Sequence, residues 1–350
     1  MADRAPARVE PRLAAVIPAH GAARTLGPCL DALAQSSVLP DVIIVVDDAS
    51  RDTTAEVAAA HGVRLLRRPV QGGPSAARNT GWRACDHELV VFLDADTRIE
   101  PGALALLLAA LEAEPALRGA NGQLAPSRGG PDPVSAFVNT ALRYQLRQHG
   151  PRVASAFTSL CLMRRETLLQ LGGFDERAVS RYADDVATRF VLPPQSLAQV
   201  EQARVAHDKV VPLAGLLRHR ANVGFHFVGS VAANRRALRG QPQSALLDLR
   251  YPLNTALAAA TWALLPGALL GFPGCRLGLG LGSCAFIANN AGFLRFVAKE
   301  DGLAAAALAL PLTAAESHAY LLGVARGAVA TLRAAGGSHG PADAPRASAR

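Results

Sequence analysis

The stretch Leu89-Val90-Val91-Phe92-Leu93-Asp94-Ala95-Asp96 places five consecutive apolar residues directly before two acidic ones. A short, continuous apolar run is typical of a strand that is buried on both faces, as in a parallel sheet flanked by helices. Residues two apart on a strand point to the same side, so we expect the carboxylates of Asp94 and Asp96 to approach one ion. This segment therefore predicts a buried strand that ends at a polar site.

Three further apolar runs precede this one and alternate with helical patterns. The predicted strands are Leu13–Ile17, Val42–Val46, Val63–Leu66 and Leu89–Leu93, and the predicted helices are Thr25–Gln35, Thr53–Ala60, Pro74–Ala84 and Pro101–Leu111. Thr53 and Glu56 fit a capping box at the start of the second helix. Strands alternating with helices predict an α/β fold with a Rossmann-like, mostly parallel sheet and helices on both faces.

Polar clusters follow three of these strands. Pro18-Ala19-His20 follows the first, Asp47-Asp48-Ala49-Ser50 the second, and Asp94-Ala95-Asp96 the fourth. In such sheets, ligands bind beyond the carboxyl ends of the strands. Turns and helix caps would account for any one cluster, but they account poorly for all three. We therefore expect one binding crevice at this edge.

The residue types in the crevice point to phosphate chemistry assisted by a metal. A divalent cation held by one or two carboxylates and by substrate phosphates is the usual arrangement for Mg²⁺ or Mn²⁺. Such an ion neutralises charge on a departing diphosphate. Between the second and third clusters, Gln71–Asn79 forms a glycine turn that enters a helix, but it lacks the spacing of the dinucleotide fingerprint, which argues against NAD. Arg78 in this segment could reach a base or a phosphate, or be a plain surface arginine.

The rest of the chain up to Arg250 is less regular. Gly119–Pro133 is rich in Gly, Pro, Ser and Asn and predicts a mobile loop. Val134–Gln148 predicts a helix with a basic face, and Val153–Leu192 a second α/β stretch. A helical and basic region is expected from there to Arg250.

The chain carries a formal net charge of +8, but the basic residues form no single stripe and no aromatic residues interleave with them. A nucleic-acid function is therefore not expected. A basic cluster precedes the apolar C-terminal part: Arg218, Arg220, Arg235, Arg236, Arg239 and Arg250. This placement favours contact with anionic lipid headgroups over an ordinary solvated surface.

The apolar part holds three candidate membrane spans. Leu253–Phe272 is the strongest, because it runs for about 20 residues without a charge. Leu277–Phe293 is interrupted by two asparagines, and Leu303–Ala325 contains Pro311, Glu316 and His318. A re-entrant hairpin and a soluble helical cap are the alternatives to spanning.

The cysteines and the N-terminus favour a cytosolic catalytic part. The five cysteines are widely spaced and form no C-x-x-C pair, which is typical of reduced thiols. Met1–Arg12 has no apolar core of the kind found in signal peptides. We expect a flexible segment over 1–12, one catalytic domain over 13–250 with halves at 13–119 and 120–250, hydrophobic membrane-associated helices over 251–330, and a disordered tail over 331–350.

Several motifs occur in order and at characteristic intervals. They are Ile17-Pro18-Ala19-His20, Val46-Asp47-Asp48-Ala49-Ser50, Gly73 with Ala77-Arg78-Asn79-Thr80-Gly81, and Phe92-Leu93-Asp94-Ala95-Asp96, followed by Met163-Arg164-Arg165, Gly172-Gly173-Phe174-Asp175-Glu176 and Ala183-Asp184-Asp185. As an ordered set they resemble family 2 glycosyltransferases, and the resemblance covers roughly Leu13 to Arg220. It implies the GT-A fold, a nucleotide-diphosphate sugar donor, a divalent metal (Mn²⁺ or Mg²⁺) and an inverting reaction.

The resemblance also implies roles for individual residues. The nucleotide sugar would be bound by Pro18, Ala19, His20, Asp47, Asp48, Arg78, Asn79, Asp94, Ala95 and Asp96. The metal would be bound by Asp96, Asp94 and His207. Asp185 would be the general base, at the second position of an acidic pair whose first member here is Asp184.

A Gln-x-x-Arg-Trp signature of processive synthases is not found near Arg218-His219-Arg220, which favours single sugar transfers. The expected partners are the donor, an acceptor glycan or lipid, and the membrane, with the catalytic domain facing the cytoplasm. The alternatives are a nucleotidyltransferase on a similar sheet and a non-catalytic membrane scaffold that kept the fold.

Overall fold

A computed structural model describes residues 12–126, 132–148, 150–176, 192–207, 210–233 and 250–336. The chain divides into two compact units, one of residues 1–211 with 293–307 and one of residues 212–292 with 308–350. The predicted domain boundaries stay predictions.

The first unit is an α/β sheet with helices. Its strands are β1 (Leu13–Ala19), β2 (Val42–Asp47), β3 (Arg64–Arg67), β4 (Leu89–Leu93), β5 (Thr97–Ile99), β6 (Gly119–Leu124), β7 (Arg152–Val153), β8 (Leu160–Arg164) and β9 (Leu197–His207). Its helices are α1 (Leu26–Ala34), α2 (Thr54–Ala60), α3 (Pro74–Arg83), α4 (Ala103–Ala113), α5 (Pro133–Arg147) and α6 (Arg165–Leu171).

The strand order is β3-β2-β1-β4-β8-β6-β9-β5, with β7 paired to β9. The four strands predicted from the sequence pair in parallel, whereas β8 is antiparallel to both of its neighbours, β4 and β6. The predicted α/β fold is therefore confirmed, in the form of a mixed sheet.

Alternate residues of the central strands enter two separate cores. Ile17 and Leu93 face the core that contains α1 and α4, whereas Val16 and Phe92 face the core that contains α3 and α6. All four side chains are buried to within 1% of complete burial. Both faces of the sheet are covered, and this is why the strands read as continuous apolar runs.

Three local predictions are wrong. Gly119–Leu124 is a fully buried strand, not a loop, and Leu197–His207 is a strand inside the region predicted to be helical. The Thr53 side chain makes no capping hydrogen bond. Instead, the Asp52 carboxylate accepts from the backbone N–H and the hydroxyl of Thr54, which satisfies the start of α2.

Four long helices follow the sheet: α7 (Leu213–Ala233), α8 (Arg250–Leu269), α9 (Pro273–Asp301) and α10 (Leu303–Gly336). The described part of the expected C-terminal tail, 331–336, continues α10; residues 337–350 lie outside the described residues.

Of the helices that the structure describes, only α9 is long and apolar enough to cross a membrane by length and composition. The ranking that put Leu253–Phe272 first is wrong by this criterion. The helix there, α8, spans Arg250–Leu269 and ends three residues before the predicted end of the span. Asn254 is fully buried and hydrogen-bonds Asn290 within the second unit.

Candidate active site

The acidic pair at the end of β2 is buried and holds the surrounding loops. Asp48 accepts hydrogen bonds from the backbone N–H groups of Gly72 and Gly73, and Arg68 Nε lies 2.8 Å from its Oδ1. Asp47 accepts from the backbone N–H of Ser50 and from Arg67 Nε. Both carboxylates are thus used to fix the walls of the crevice.

The end of β1 lies beside this pair. Pro18 and Ala19 pair with Val46 and Asp47 in the parallel ladder, which brings the first two polar clusters together as predicted. The exposed ring of His20 contacts the carbonyl oxygen of Asp48 through Nδ1 at 2.8 Å.

Asp94 follows β4 at the same edge and is held from two sides. Arg78 Nη2 donates to Asp94 Oδ1 at 2.8 Å, and the Ser159 hydroxyl donates to Oδ2 at 2.6 Å. Burial of Asp94 opposes its ionisation, but the Arg78 guanidinium and the Ser159 hydroxyl outweigh burial and hold the pKa of Asp94 below its ordinary value. Asp94 is therefore a fixed negative charge.

Asp96 lies next to His207. The distance from His207 Nε2 to Asp96 Oδ1 is 3.4 Å, and both side chains are partly exposed. β5 and β9 create this proximity, because their antiparallel register sets Thr97 opposite His207. A carboxylate oxygen and an imidazole nitrogen are suitable ligands for a divalent transition ion such as Mn²⁺.

The described residues contain no group of three or more His, Cys, Asp or Glu side chains arranged as a metal site. Asp94 is engaged by Arg78 and Ser159, and the predicted ligand set of Asp94, Asp96 and His207 stays a prediction. Asp96 and His207 fit a divalent ion that takes its remaining ligands from substrate phosphates and water.

Asp94 and Asp96 do not lie on a strand, contrary to the prediction. β4 ends at Leu93, so Asp94-Ala95-Asp96 forms a turn in which the N–H of Thr97 donates to the carbonyl of Asp94. Alternation along a strand therefore does not orient the two carboxylates. The turn directs Asp94 toward Arg78 and Asp96 toward His207, while Ala95 is buried beneath them.

Asn79 has a bracing role in this structure. It is 1% exposed, its Oδ1 accepts from the backbone N–H of Phe174 and from Trp82 Nε1, and its Nδ2 donates to the Phe174 carbonyl and to Glu176. These four bonds use the full capacity of the amide. Asn79 thus fastens the 172–176 turn to α3, and its predicted contact with a nucleotide sugar stays a prediction.

Asp184 and Asp185, the predicted acidic pair, lie outside the described residues. The general base therefore stays a prediction.

Ser159 and Arg68 also hold the site, although no sequence motif marks them. Ser159 stands before β8 with no acidic or glycine-rich motif around it, and its contact with Asp94 follows from the pairing of Leu93 with Leu160. Arg68 follows β3 and reaches Asp48 across the β2–β3 pair. A lone serine or a lone arginine beside a strand carries no distinctive sequence signal, so no motif indicates either residue.

The chain is similar to known glycosyltransferases in sequence and in fold. Residues 14–169 match the model of the family described as glycosyl transferase family 2. An uncharacterized glycosyltransferase of Mycobacterium tuberculosis is 32% identical over 164 residues, which are 43% of this chain and 71% of that protein. A pre-mycofactocin glycosyltransferase of Mycobacterium tuberculosis is 28% identical over 252 residues, 69% of this chain and 49% of that protein, so the chain spans about half the length of this relative.

Among solved structures, a mannosyltransferase from Pyrobaculum calidifontis in complex with GDP-Man and Mn²⁺ superimposes with a TM-score of 0.57. The superposition covers 92% of this chain and 88% of that one at 19% identity. At this identity the likeness is one of fold.

Proposed function

Because the chain belongs to glycosyl transferase family 2, we propose that it transfers a sugar from a nucleotide-diphosphate sugar to an acceptor hydroxyl, with inversion at the anomeric carbon. The observation that carries the proposal is the 3.4 Å approach of His207 to Asp96 beside the fixed carboxylate of Asp94. Oxygen and nitrogen ligands of this kind meet at the carboxyl edge of the sheet, where a diphosphate would lie.

Asp96 and His207 would hold a Mn²⁺ or Mg²⁺ ion, and that ion would supply charge neutralisation for the departing nucleoside diphosphate. Asp94 would accept hydrogen bonds from the ribose or sugar without changing its own charge, since Arg78 and Ser159 already fix it. Pro18, Ala19 and His20 would line the pocket for the base, with the buried pair of Asp47 and Asp48 behind them.

The reaction also needs a base that removes the proton of the acceptor hydroxyl as its oxygen attacks the anomeric carbon. An aspartate carboxylate is ionised at neutral pH and can accept that proton. We assign this role to Asp185, with Asp184 beside it. The brace at Asn79 supports the assignment, because it fixes residues 172–176, from which the chain leads to this pair.

The acceptor is proposed to be a lipid-linked or cell-envelope glycan at a membrane surface. α9 is long and apolar enough to cross a bilayer, and large apolar side chains nearby are strongly exposed, with Leu269 at 77%, Leu277 at 66% and Leu281 at 63%. Exposed apolar surface of this extent is typical of a membrane or partner interface.

The catalytic proposal is tested by measuring nucleoside diphosphate release from a panel of nucleotide sugars with and without Mn²⁺. We expect Asp96→Asn to lower turnover by about 100-fold or more, since a metal-held charge contributes several kcal/mol to the transition state. His207→Ala should raise the Mn²⁺ concentration needed for half-maximal activity by about tenfold or more.

Asp31→Asn is the matched control, because Asp31 is 66% exposed and pairs with His61 away from the site. Wild-type turnover in both Asp96→Asn and Asp185→Asn would overturn the site assignment. Release of pyrophosphate from a nucleoside triphosphate would indicate a nucleotidyltransferase instead. A non-catalytic scaffold would be favoured if no nucleoside diphosphate raised the melting temperature of the chain, with or without Mn²⁺.

Membrane association is tested by co-sedimentation with anionic phospholipid vesicles. The double variant Leu277→Glu with Leu281→Glu should lose vesicle binding, since buried charge in the acyl region is costly. Leu39→Glu is the control, because Leu39 is 61% exposed in the sheet unit. Equal binding by both variants would contradict a membrane role for this surface.

A further inference from the structure

A second pocket lies at the opposite edge of the sheet, where the parallel strands begin. It has a volume of about 370 Å³, and it is lined by Arg64 at the start of β3, Arg83 at the end of α3, His87 before β4 and Arg165 after β8. We call it the amino-edge pocket. Since the carboxylates at Asp94 and Asp96 follow the carboxyl end of β4, the two sites lie at opposite ends of that strand.

The charge of the amino-edge pocket is positive. Three arginines line it, and its single acidic side chain, Asp86, is paired outward with Arg12 at 3.2 Å. Arg12 is also the main reason why the pKa of Asp86 is lowered. The Asp86 charge is therefore compensated from outside the pocket.

The cysteine in the wall adds no negative charge. Burial raises the pKa of the Cys85 thiol, so it stays protonated at neutral pH. Of the three arginines, only Arg83 has an acidic partner, Glu176 at 3.5 Å, among the ion pairs of the described residues.

Two enclosed nitrogen atoms in the wall have no hydrogen-bond partner within the described part of the chain. They are His87 Nδ1 and Arg165 Nη1. His87 is 93% buried, since 7% of it is exposed, and its nearest acidic oxygen, Asp86 Oδ1, is 3.8 Å away, which is beyond hydrogen-bond distance. An enclosed guanidinium N–H without an acceptor costs free energy, so an acceptor oxygen that reaches Arg165 Nη1 would relieve that cost.

We propose that the amino-edge pocket binds a small phosphorylated metabolite through its phosphate group, held by Arg64, Arg83 and Arg165 with His87 as a further hydrogen-bonding group. Guanidinium groups match the geometry of phosphate oxygens, and three arginines lining one cavity suit a phosphate ester. Arg64 and Arg83 each also donate to a backbone carbonyl, of Ala84 and Gly172, which holds these side chains at the pocket. The volume lies at the small end of the range of ligand pockets, about 300–1,000 Å³, and exceeds what inorganic phosphate needs. The ester group would occupy the remaining space.

The test is isothermal titration calorimetry of the full chain with inorganic phosphate and with glucose 6-phosphate, in buffer containing EDTA. EDTA removes divalent ions, so the acidic carboxyl edge has no cation with which to hold a phosphate. We expect saturable binding of both probes at one site, with the ester at least as tight as phosphate. Arg165→Gln and Arg64→Gln should each weaken binding by about tenfold, the effect of losing one charge-assisted contact.

Arg118→Gln is the matched control, because Arg118 precedes β6, donates to Gln170 and does not line the pocket. It should bind both probes with the affinity of the wild type. Since it loses the same charge as the test variants, this result would show that their weaker binding comes from a lost contact in the pocket and not from the change in net charge. Arg64 is exposed, so Arg64→Gln keeps the test usable if Arg165→Gln fails to fold.

Absence of saturable binding by the wild type would overturn the proposal. Equal affinities of wild type, Arg64→Gln and Arg165→Gln would also overturn it, and so would binding of phosphate but not of the ester. None of these results depends on glycosyl transfer, because no donor sugar or metal is present.

Discussion

The four hydrogen bonds of the Asn79 side chain predict how much stability the chain loses when this residue is replaced. Asn79→Ala removes an amide that makes four hydrogen bonds of 2.7–3.0 Å. Three of its partner groups are the backbone N–H and carbonyl of Phe174 and the indole N–H of Trp82, in residues that are 5% and 3% exposed. The fourth partner, the carboxylate of Glu176, is 46% exposed and can return to water.

The expected loss follows from these three enclosed groups. A buried donor or acceptor left without its partner costs about 1–3 kcal/mol. Three such groups lower the free energy of unfolding by about 3 kcal/mol if each costs the lower bound of that range. The lower bound applies if water enters the space that alanine leaves. Since one kcal/mol corresponds to about 2–4 °C in a domain of this size, we expect the melting temperature to fall by about 6–12 °C.

The chain offers a specific probe for this measurement. It has two tryptophans, and Trp82 donates directly to Asn79. In a Trp262→Phe background, urea unfolding followed by fluorescence reports on Trp82 alone. The control is Asn139→Ala, because Asn139 on α5 has an enclosed Oδ1 with no partner among the described residues. Its removal should be neutral or slightly stabilising.

A loss of less than about 1 kcal/mol in Asn79→Ala, similar to that in Asn139→Ala, would refute the bracing role. The same result would show that the Asn79 amide does not fix the 172–176 turn to α3. A large loss in both variants would indicate that any asparagine-to-alanine change destabilises this unit.

Two further predictions concern the same region. Gly173→Ala should destabilise the chain more than Gly172→Ala. Both glycines have positive φ, but a Cβ on Gly173 would lie 2.3 Å from Asn79 Oδ1, whereas a Cβ on Gly172 would meet nothing within 4 Å. Gly172→Ala should cost only the left-handed strain of about 1–2 kcal/mol, and equal losses in urea unfolding would contradict the clash. Arg78→Met should lower the free energy of unfolding at pH 7. The difference from the wild type should shrink as pH falls below about 4, because the ion pair that lowers the pKa of Asp94 is lost when Asp94 is protonated. A difference in unfolding free energy that stayed constant between pH 7 and pH 3 would refute this pairing.

The sequence predicted the first half of the sheet well because its signal is local. β4 was predicted at its true bounds, Leu89–Leu93, and the other three strands were found to within two residues at each end. β1 and β4 are buried along almost their whole length, so their positions must be apolar, and the pattern is visible without knowledge of the partners. β3 lies at the edge of the sheet, and only its two central leucines gave the signal.

In the second half of the sheet, β6 and β9 were missed because they lack that signal, whereas β8 lies within the predicted second α/β stretch. β6 has the sequence Gly-Ala-Asn-Gly-Gln-Leu, yet all six residues are buried. Gly122 is needed there because a Cβ would meet the Ala203 carbonyl at 2.7 Å, a contact that depends on β9. Asn121 is satisfied by Ser155 and Phe157, which are more than 30 residues away. Composition alone therefore suggested a loop.

The amino-acid sequence by itself determined that this chain forms an α/β sheet with acidic residues at its carboxyl edge, because apolar runs and the acids that follow them are adjacent in the chain. Only the tertiary structure decided what those acids do. The register of β5 on β9 brings His207 to Asp96, and the pairing of β4 with β8 brings Ser159 to Asp94. Partners that lie 65 or more residues apart in the chain meet through backbone pairing, and pairing of that range leaves no local trace in the sequence.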